Sequence, residues 1–372
     1  MINDKGTVAG RPRSGEDVRV TQWMLYGANG YTGELIAREA VARGLTPVLA
    51  GRSAEKIEPF ARELGLPWRA FALTDPAGVD RGLDGIGLVL HCAGPFSATS
   101  APMLEGCLRA RAHYLDITGE IDVFEHAYAQ DARAREAGIV VCPGVGFDVI
   151  PTDCVAATLA AALPGATRLH LGFDTRAGMS PGTMKTSVEG LASAGKVRRG
   201  GRVVGVPMGS ITRRVDFGVG EKDAAAIPWG DVASAYRSTG IAEIAVFIPT
   251  SPKRARSMRL AGLARPILRL RPVLRLVQRR VGRTVTGPSA QARAKHPAHV
   301  WGEVVDAAGA RKVARVTTAN GYDLTVTGSL AVVDQVLSGG YADSGALTPS
   351  QLMGADLITR LPGSSELVVG DS

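Results

Sequence analysis

"LYGANGYTGELIAREAVARGLTPVLAGRS", residues Leu25 to Ser53, decides the fold. An apolar run ends at Tyr26, glycines follow at 27, 30 and 33, and an amphipathic stretch leads to a second apolar run closing on Ala50-Gly51-Arg52-Ser53. Strand, glycine turn, helix and second strand in that order are the context of a dinucleotide fingerprint. In it Gly27 permits the tight turn, Gly30 lets the backbone approach a pyrophosphate, and Gly33 lets the helix pack close to the strand. Unpaired N–H groups at the helix start, aided by the helix dipole, then face the phosphates. The spacing is GxxGxxG and not GxGxxG, so taken alone it also fits a plain strand–turn–helix corner. The tip of the second strand separates the cofactors. NAD sites carry Asp or Glu there, about 20 residues beyond the turn. Here the first acid is Glu55, while Arg52 offers a planar fork of donors for a 2′-phosphate, with Ser53 and Lys56 beside it. The expected cofactor is NADP(H); the alternative leaves Arg52 a solvated surface charge.

The pattern around this stretch repeats it. Short apolar runs predict strands at Trp23–Tyr26, Pro47–Ala50, Trp68–Ala72, Gly87–Cys92, His113–Ile117 and Gly138–Cys142, with helices at 32–43, 53–64, 76–83, 100–110 and 121–136. Such alternation predicts an α/β fold, a Rossmann-type doubly wound parallel sheet. After "GVGFDVIP" the texture changes. "TDCVAATLAAAL" reads as a helix entered at Pro151. Strands follow at 167–174, 202–206, 211–218 and 241–248, a hairpin at 299–306 and 310–318, and helices at 182–194, 329–337 and 349–359. The organisation expected is a loose tail over 1–20, a nucleotide-binding domain over 21–150, a second α+β domain over 151–345, and a C-terminal piece over 346–372 that returns to the first domain.

With 372 residues the chain has room for two cores. Mean hydropathy near zero and the lack of a long apolar run exclude a spanning helix, and the first twenty residues have no apolar signal core. The four cysteines (Cys92, Cys107, Cys142, Cys154) show no metal-ligand spacing, so no metal is expected and the cytoplasm is the default location. Charge is the uneven feature. No acid lies between Glu243 and Glu303, an interval holding 13 Lys and Arg, which leaves 8 − 13 = −5 for the rest of the +8 chain. Within 252–283, Leu260, Leu263, Ile267, Leu270, Leu274, Val277 and Val281 form one apolar helical face ringed by arginines, and Pro266 and Pro272 break it into pieces. Four readings stand for this segment. It docks on an anionic membrane surface at the inner face, binds an acidic acyl carrier protein, binds nucleic acid, or simply covers its own domain or a second copy. With no interleaved aromatics, nucleic acid is not expected.

"GANGYTG", "LAGRS", "HCAGPF", "YLDITGE" and "GVGFDVIPTD", in this order, resemble the saccharopine dehydrogenase-like family, in the branch that includes bacterial trans-acting enoyl reductases and animal saccharopine dehydrogenase-like oxidoreductases. The late segments "GPSAQARAKHPAHVWGEV" and "ALTPSQLMGAD" extend the resemblance to roughly 22–362. It implies an NADP(H)-dependent oxidoreductase with a second domain that often carries a homodimer contact. It further implies that Gly27, Asn29, Gly30, Tyr31, Thr32 and Gly33 cradle the pyrophosphate and that Arg52 meets the adenosine phosphate. Ala93, Gly94, Pro95 and Phe96 would line the cofactor further along. Tyr114, Asp116, Thr118 and Gly119 would approach the nicotinamide, and "GVGFDVIPTD" would floor the substrate site.

Reduction needs a proton as well as a hydride, and the motifs of other reductases and hydrolases are absent. The candidate donors are Asp148, Asp153, Tyr114 and Lys185, with Asp116 near them. Asp116 and Asp153 have a second reading as turn or helix-capping groups. His91 and His113 sit at apolar strand positions and read as packed or cofactor-adjacent. The expected substrate is a small molecule or a carrier-bound acyl or enoyl group. The alternatives are a saccharopine-like imine or amino-acid reductase, for which Lys185, Arg176 and Arg198 would bind carboxylates, or a non-catalytic NADP-binding scaffold at a membrane.

Overall fold

The computed structural model describes residues 22–176, 194–261 and 287–371, together with 178, 180 and 184. Lys185, the tail 1–20, most of the expected helix 182–194 and segment 262–283 lie outside the described residues.

The first layer is a seven-stranded sheet. Its strands are β1 (Gln22–Tyr26), β2 (Val48–Gly51), β3 (Trp68–Ala70), β4 (Ile86–His91), β5 (His113–Asp116), β6 (Val140–Cys142) and a late β15 (Gly345–Ala346). The order is β15-β6-β5-β4-β1-β2-β3, with every neighbouring pair parallel. Alternation along each strand builds two cores. Leu25, Leu49, Leu90 and Leu115 face one side, where helix α1 (Tyr31–Ala42) and α2 (Ala54–Leu64) bring Ile36 and Ile57. Met24, Val48, Val89 and Tyr114 face the other, where α3 (Pro76–Leu83) and α4 (Phe96–Ala110) bring Val79, Met103 and Cys107. Fully burying each such aliphatic side chain stabilises the fold by roughly 1.5–3 kcal/mol. The expected doubly wound sheet is therefore present, although the last helix before β6 is two pieces, α5 (Ile121–Ala129) and α6 (Asp131–Ala137).

The second layer is a nine-stranded mixed sheet whose main path runs β10-β11-β12-β7-β13-β14-β16. Here β7 is Ala166–Asp174, β10 Thr212–Asp216, β11 Glu221–Ile227, β12 Glu243–Pro249, β13 Ala298–Asp306, β14 Arg311–Thr318 and β16 Val368–Gly370. The hairpin β8 (Gly195–Arg199) and β9 (Arg202–Val206) branches from β12. Helix α7 (Ile150–Ala162) and α8 (Asp231–Thr239) cover one face, with Val155, Leu159 and Val232 packed on Leu169, Leu171 and Val300. Gly302 is required there, because a Cβ would come within 2.5 Å of Val155.

Two segments cross the expected boundaries. Helix α11 (Gly321–Leu337) begins eight residues before the sequence reading placed it and lies along α1, adding Val326, Leu330 and Val333 to the nucleotide-domain core. After it the chain supplies β15 to the first sheet and β16 to the second. Among the described residues four short helices lie between these landmarks: α9 (Pro252–Ala261), α10 (Ala290–Lys295), α12 (Pro349–Met353) and α13 (Leu357–Arg360). Among the described residues no helix is long and apolar enough to cross a membrane.

Candidate functional site

The glycine turn sits at the carboxyl edge of the parallel sheet, where doubly wound folds bind ligands. Gly27 has φ +86°, and its amide bonds to Ala50 O at 2.7 Å. A Cβ there would stand 2.7 Å from Ala93 N, and one on Gly33 would stand 2.3 Å from Gly27 O. These two glycines are demanded by the protein's own packing. Gly30 differs: a Cβ would meet only Gly27 O at 3.3 Å, so the protein leaves that side open. Gly30 is also the N-cap of α1, and no side chain caps the helix. The ladder starts with Glu34 N bonding Gly30 O at 2.8 Å, which leaves the amides of Tyr31, Thr32 and Gly33 without helical partners. Open glycine, uncapped helix and free amides fit a dinucleotide pyrophosphate. Arg52 is exposed just past β2 and makes no ion pair or hydrogen bond among the described residues; Ser53 and Lys56 lie beside it at the start of α2.

Past β4, Ala93, Gly94 and Pro95 keep exposed surface and Phe96 is buried, opening α4. The amides of Phe96 and Ser97 both donate to Glu120, at 2.9 and 2.7 Å. Glu120 thus closes the N-terminus of α4 with a carboxylate, a favourable use of the helix dipole. The sequence reading missed it, because a cap supplied from another loop leaves no local spacing signal.

The candidates grouped near the nicotinamide separate sharply. Tyr114 is fully buried and donates to Asp116 Oδ2 at 2.7 Å, and burial raises its hydroxyl well above the usual range. Asp116 is fully buried too, and its Oδ1 accepts from Thr118 N and Gly144 N, both at 3.0 Å. Its side chain latches the loop after β5 to the loop after β6. Burial lifts its carboxyl to about 6. Thr118 is equally sealed, so none of these three side chains is presented to a bound cofactor, contrary to the expectation for all of them. Asp153 is a second sealed carboxylate, accepting from Ser238 Oγ and Ser350 N, each at 2.7 Å; it ties α7 to α8 and to α12, and it is not a surface proton donor. His91 bonds Thr99 Oγ1 through Nε2, and burial pulls its ring down to about 3, so it stays neutral. His113 accepts from Val140 N at 2.9 Å and is held low in the same way.

Asp148 is the exception. It keeps part of its surface open at the junction of the two layers, and its carboxyl group has no hydrogen-bond partner among the described residues. The group lies against Gly119, where a Cβ would stand 2.6 Å from Oδ2. Burial, and then the nearby charge of Glu120, push it up to about 7. An aromatic wall adjoins it. Trp229 Nε1 donates to Asp148 O at 2.7 Å, and Phe173 sits 4.9 Å from Trp229 and 5.5 Å from Phe147, ring centre to ring centre. Arg198, expected as a carboxylate contact, is buried elsewhere, donating to Val232 O, Gly201 O and Glu125. Arg176 is exposed at the end of β7.

A parallel sheet with an uncapped, glycine-lined helix start at its carboxyl edge defines the class of dinucleotide-binding α/β proteins. The particular type of domain follows from comparison: residues 23–142 match the saccharopine dehydrogenase NADP binding domain. The saccharopine dehydrogenase-like oxidoreductase of Bos taurus is 29% identical over 150 residues, 35% of this chain and 35% of that protein. A trans-acting enoyl reductase of Mycobacterium tuberculosis is 33% identical over 144 residues, 35% of this chain and 33% of its own length. The matched stretches thus span only about a third of these curated relatives. Saccharopine dehydrogenase (L-Glu forming) from Saccharomyces cerevisiae superposes with a TM-score of 0.62 at 12% identity, covering 94% of this chain and 100% of that one, so the two-layer fold is shared beyond the nucleotide domain. NADP(H) is the cofactor consistent with the matched domain, and the exposed Arg52 at the tip of β2 agrees with it.

Proposed function

We propose that this chain is an NADPH-dependent reductase of an acyl or enoyl group, presented as a thioester or on a carrier, and that Asp148 donates the proton. The observation that carries the reading is Asp148 itself, a half-buried carboxyl group at the carboxyl edge of the nucleotide sheet, with no hydrogen-bond partner among the described residues and pushed up to about 7. A group poised near the working pH is suited to general acid catalysis. The bound cofactor would supply hydride from nicotinamide C4. The first-turn amides of α1 would hold its pyrophosphate, and Arg52 would receive the 2′-phosphate in a bidentate contact. Glu120, anchored on two amides, lies near enough to Asp148 for its charge to favour the protonated form of that carboxyl group.

Trp229, half-buried beside Asp148 and backed from the core by Phe173 and Phe147, offers an apolar surface that favours an apolar chain over a zwitterionic amino acid. The burial of Arg198 takes one carboxylate anchor away from the saccharopine-like alternative. The relative named trans-acting enoyl reductase points the same way. Lys253, Arg254, Arg256 and Arg259 are exposed on α9, and we read this cationic surface as the dock for an acidic carrier protein.

Stopped-flow oxidation of NADPH tests the reading with a panel of enoyl thioesters and imino acids. Turnover of the thioesters is the expected result. Turnover of imino acids alone would replace the substrate class, and silence across the panel with intact NADPH binding would replace catalysis with a scaffold role.

A further inference from the structure

Tyr31, the first residue of α1, is gripped from outside the nucleotide loop. Its hydroxyl donates to Pro288 O at 2.6 Å and accepts from Arg293 Nη1 at 3.1 Å. Its ring meets Tyr322 edge-on at 5.0 Å. Gly287, at φ +85°, lies so close that a Cβ would come within 2.6 Å of the Tyr31 ring. Arg293 is fastened in turn, with Nε donating to Asp323 Oδ1 at 2.7 Å at the start of α11, and its side chain is only 13% exposed. Asn320, the N-cap of α11, reaches back to His296 O at 3.0 Å. Residues 287–296 therefore form a strap fixed to the starts of both α1 and α11, and the strap runs directly into β13 of the second sheet.

The amides of Tyr31, Thr32 and Gly33 are those assigned to the pyrophosphate, and they belong to the first turn of α1, which no side chain caps. A turn already held in its binding geometry loses less freedom when a ligand arrives. We propose that Arg293 is a positioning residue for dinucleotide binding: by clamping Tyr31 through the strap it holds the first turn of α1 in register for the pyrophosphate and joins that turn to the second sheet. This inference rests on the cofactor reading above. Its signature is a lack of discrimination. The pyrophosphate is common to both nicotinamide dinucleotides, so loss of the clamp weakens both, whereas loss of Arg52 weakens only the phosphorylated one.

The test is titration of the full chain with NADPH and with NADH, for wild type, Arg293→Ala, Arg293→Lys and Tyr31→Phe, alongside thermal melts. Arg293→Ala is expected to raise Kd about tenfold for both nucleotides, the size of one lost charged hydrogen bond, and to raise KM for NADPH while leaving kcat at saturation unchanged. Arg293→Lys, which keeps the charge beside Asp323, is expected to recover part of the loss. Tyr31→Phe keeps the ring contacts and loses only the hydroxyl, so it reports on the clamp even where Arg293→Ala lowers the melting temperature; about threefold weaker binding of both nucleotides is expected. Unchanged affinities in Arg293→Ala and Tyr31→Phe beside a wild type that binds overturn the clamp and leave the cofactor reading standing. A wild type that binds neither nucleotide overturns both.

Discussion

Asp116 and Asp148 lie 32 positions apart at the same edge of one sheet, and they live in opposite surroundings. Asp116 accepts from a phenol and two main-chain amides and has no exposed surface. Asp148 accepts from nothing described, touches Gly119, and faces the junction of the layers beside a second carboxylate. Burial raises both, to about 6 and about 7. The difference is that donors surround Asp116 and pull it back, while the charge of Glu120 pushes Asp148 further. A buried acid bonded by amides works as a rivet. One left unbonded keeps a raised pKa, which is what the proposed proton donor needs.

The sharpest way to break this comparison is Asp116→Ala. It would strand two buried amides and the Tyr114 hydroxyl, each of which costs about 1–3 kcal/mol when left unsatisfied, so a large drop in melting temperature is expected. A variant that melts like wild type would deny the rivet role. Asp148→Asn should do the reverse. Turnover is expected to fall about a hundredfold, within the range for loss of a general acid, while NADPH binding holds. The pH dependence carries a sign that can be checked. The folded-state pKa of Asp148 lies above its unfolded value, so its proton stabilises the native state at low pH, and that contribution is lost as pH rises through about 7. Asp148→Asn should therefore melt higher relative to wild type at pH 8 than at pH 5, and the fall in kcat above neutrality should vanish. Identical pH profiles for both proteins would remove Asp148 from the chemistry. A smaller effect than these belongs to Arg52→Ala, which should raise Kd for NADPH by roughly tenfold and leave NADH alone, one charge-assisted contact being lost. An equal change for both would move the preference for the extra phosphate elsewhere.

The first sheet was legible because each of its strands is a short apolar run stopped by glycine or a polar turn, and those signals are local. The second sheet was legible only in part. Strands β8 (GKVRR) and β11 (EKDAAAI) carry little alternation of their own and take their conformation from the neighbours they pair with. The first half of α11, GYDLTVTG, is rich in β-branched residues and glycine, poor helix formers. Packing overrides them, since Gly328 sits where a Cβ would come 2.7 Å from Ile150 Cδ1. In the site, the glycine spacing gave the turn, and the residue types gave Asp148. Which acids would be sealed depended on partners as distant as Ser350, and the roles of Glu120 and Arg293 arise from contacts 24 and 262 positions away.

The late return of the chain has a consequence for its synthesis. Gly345 pairs with Val140 across 205 positions of sequence, and Val368 with Arg315 in the other sheet. A nascent polypeptide emerging from the ribosome would hold the nucleotide sheet with its β6 edge bare until Gly345 and Ala346 had been made. Long-range pairing of this kind slows folding and leaves a strand edge able to recruit other chains. The nucleotide domain cut off after β6 should therefore be prone to aggregate.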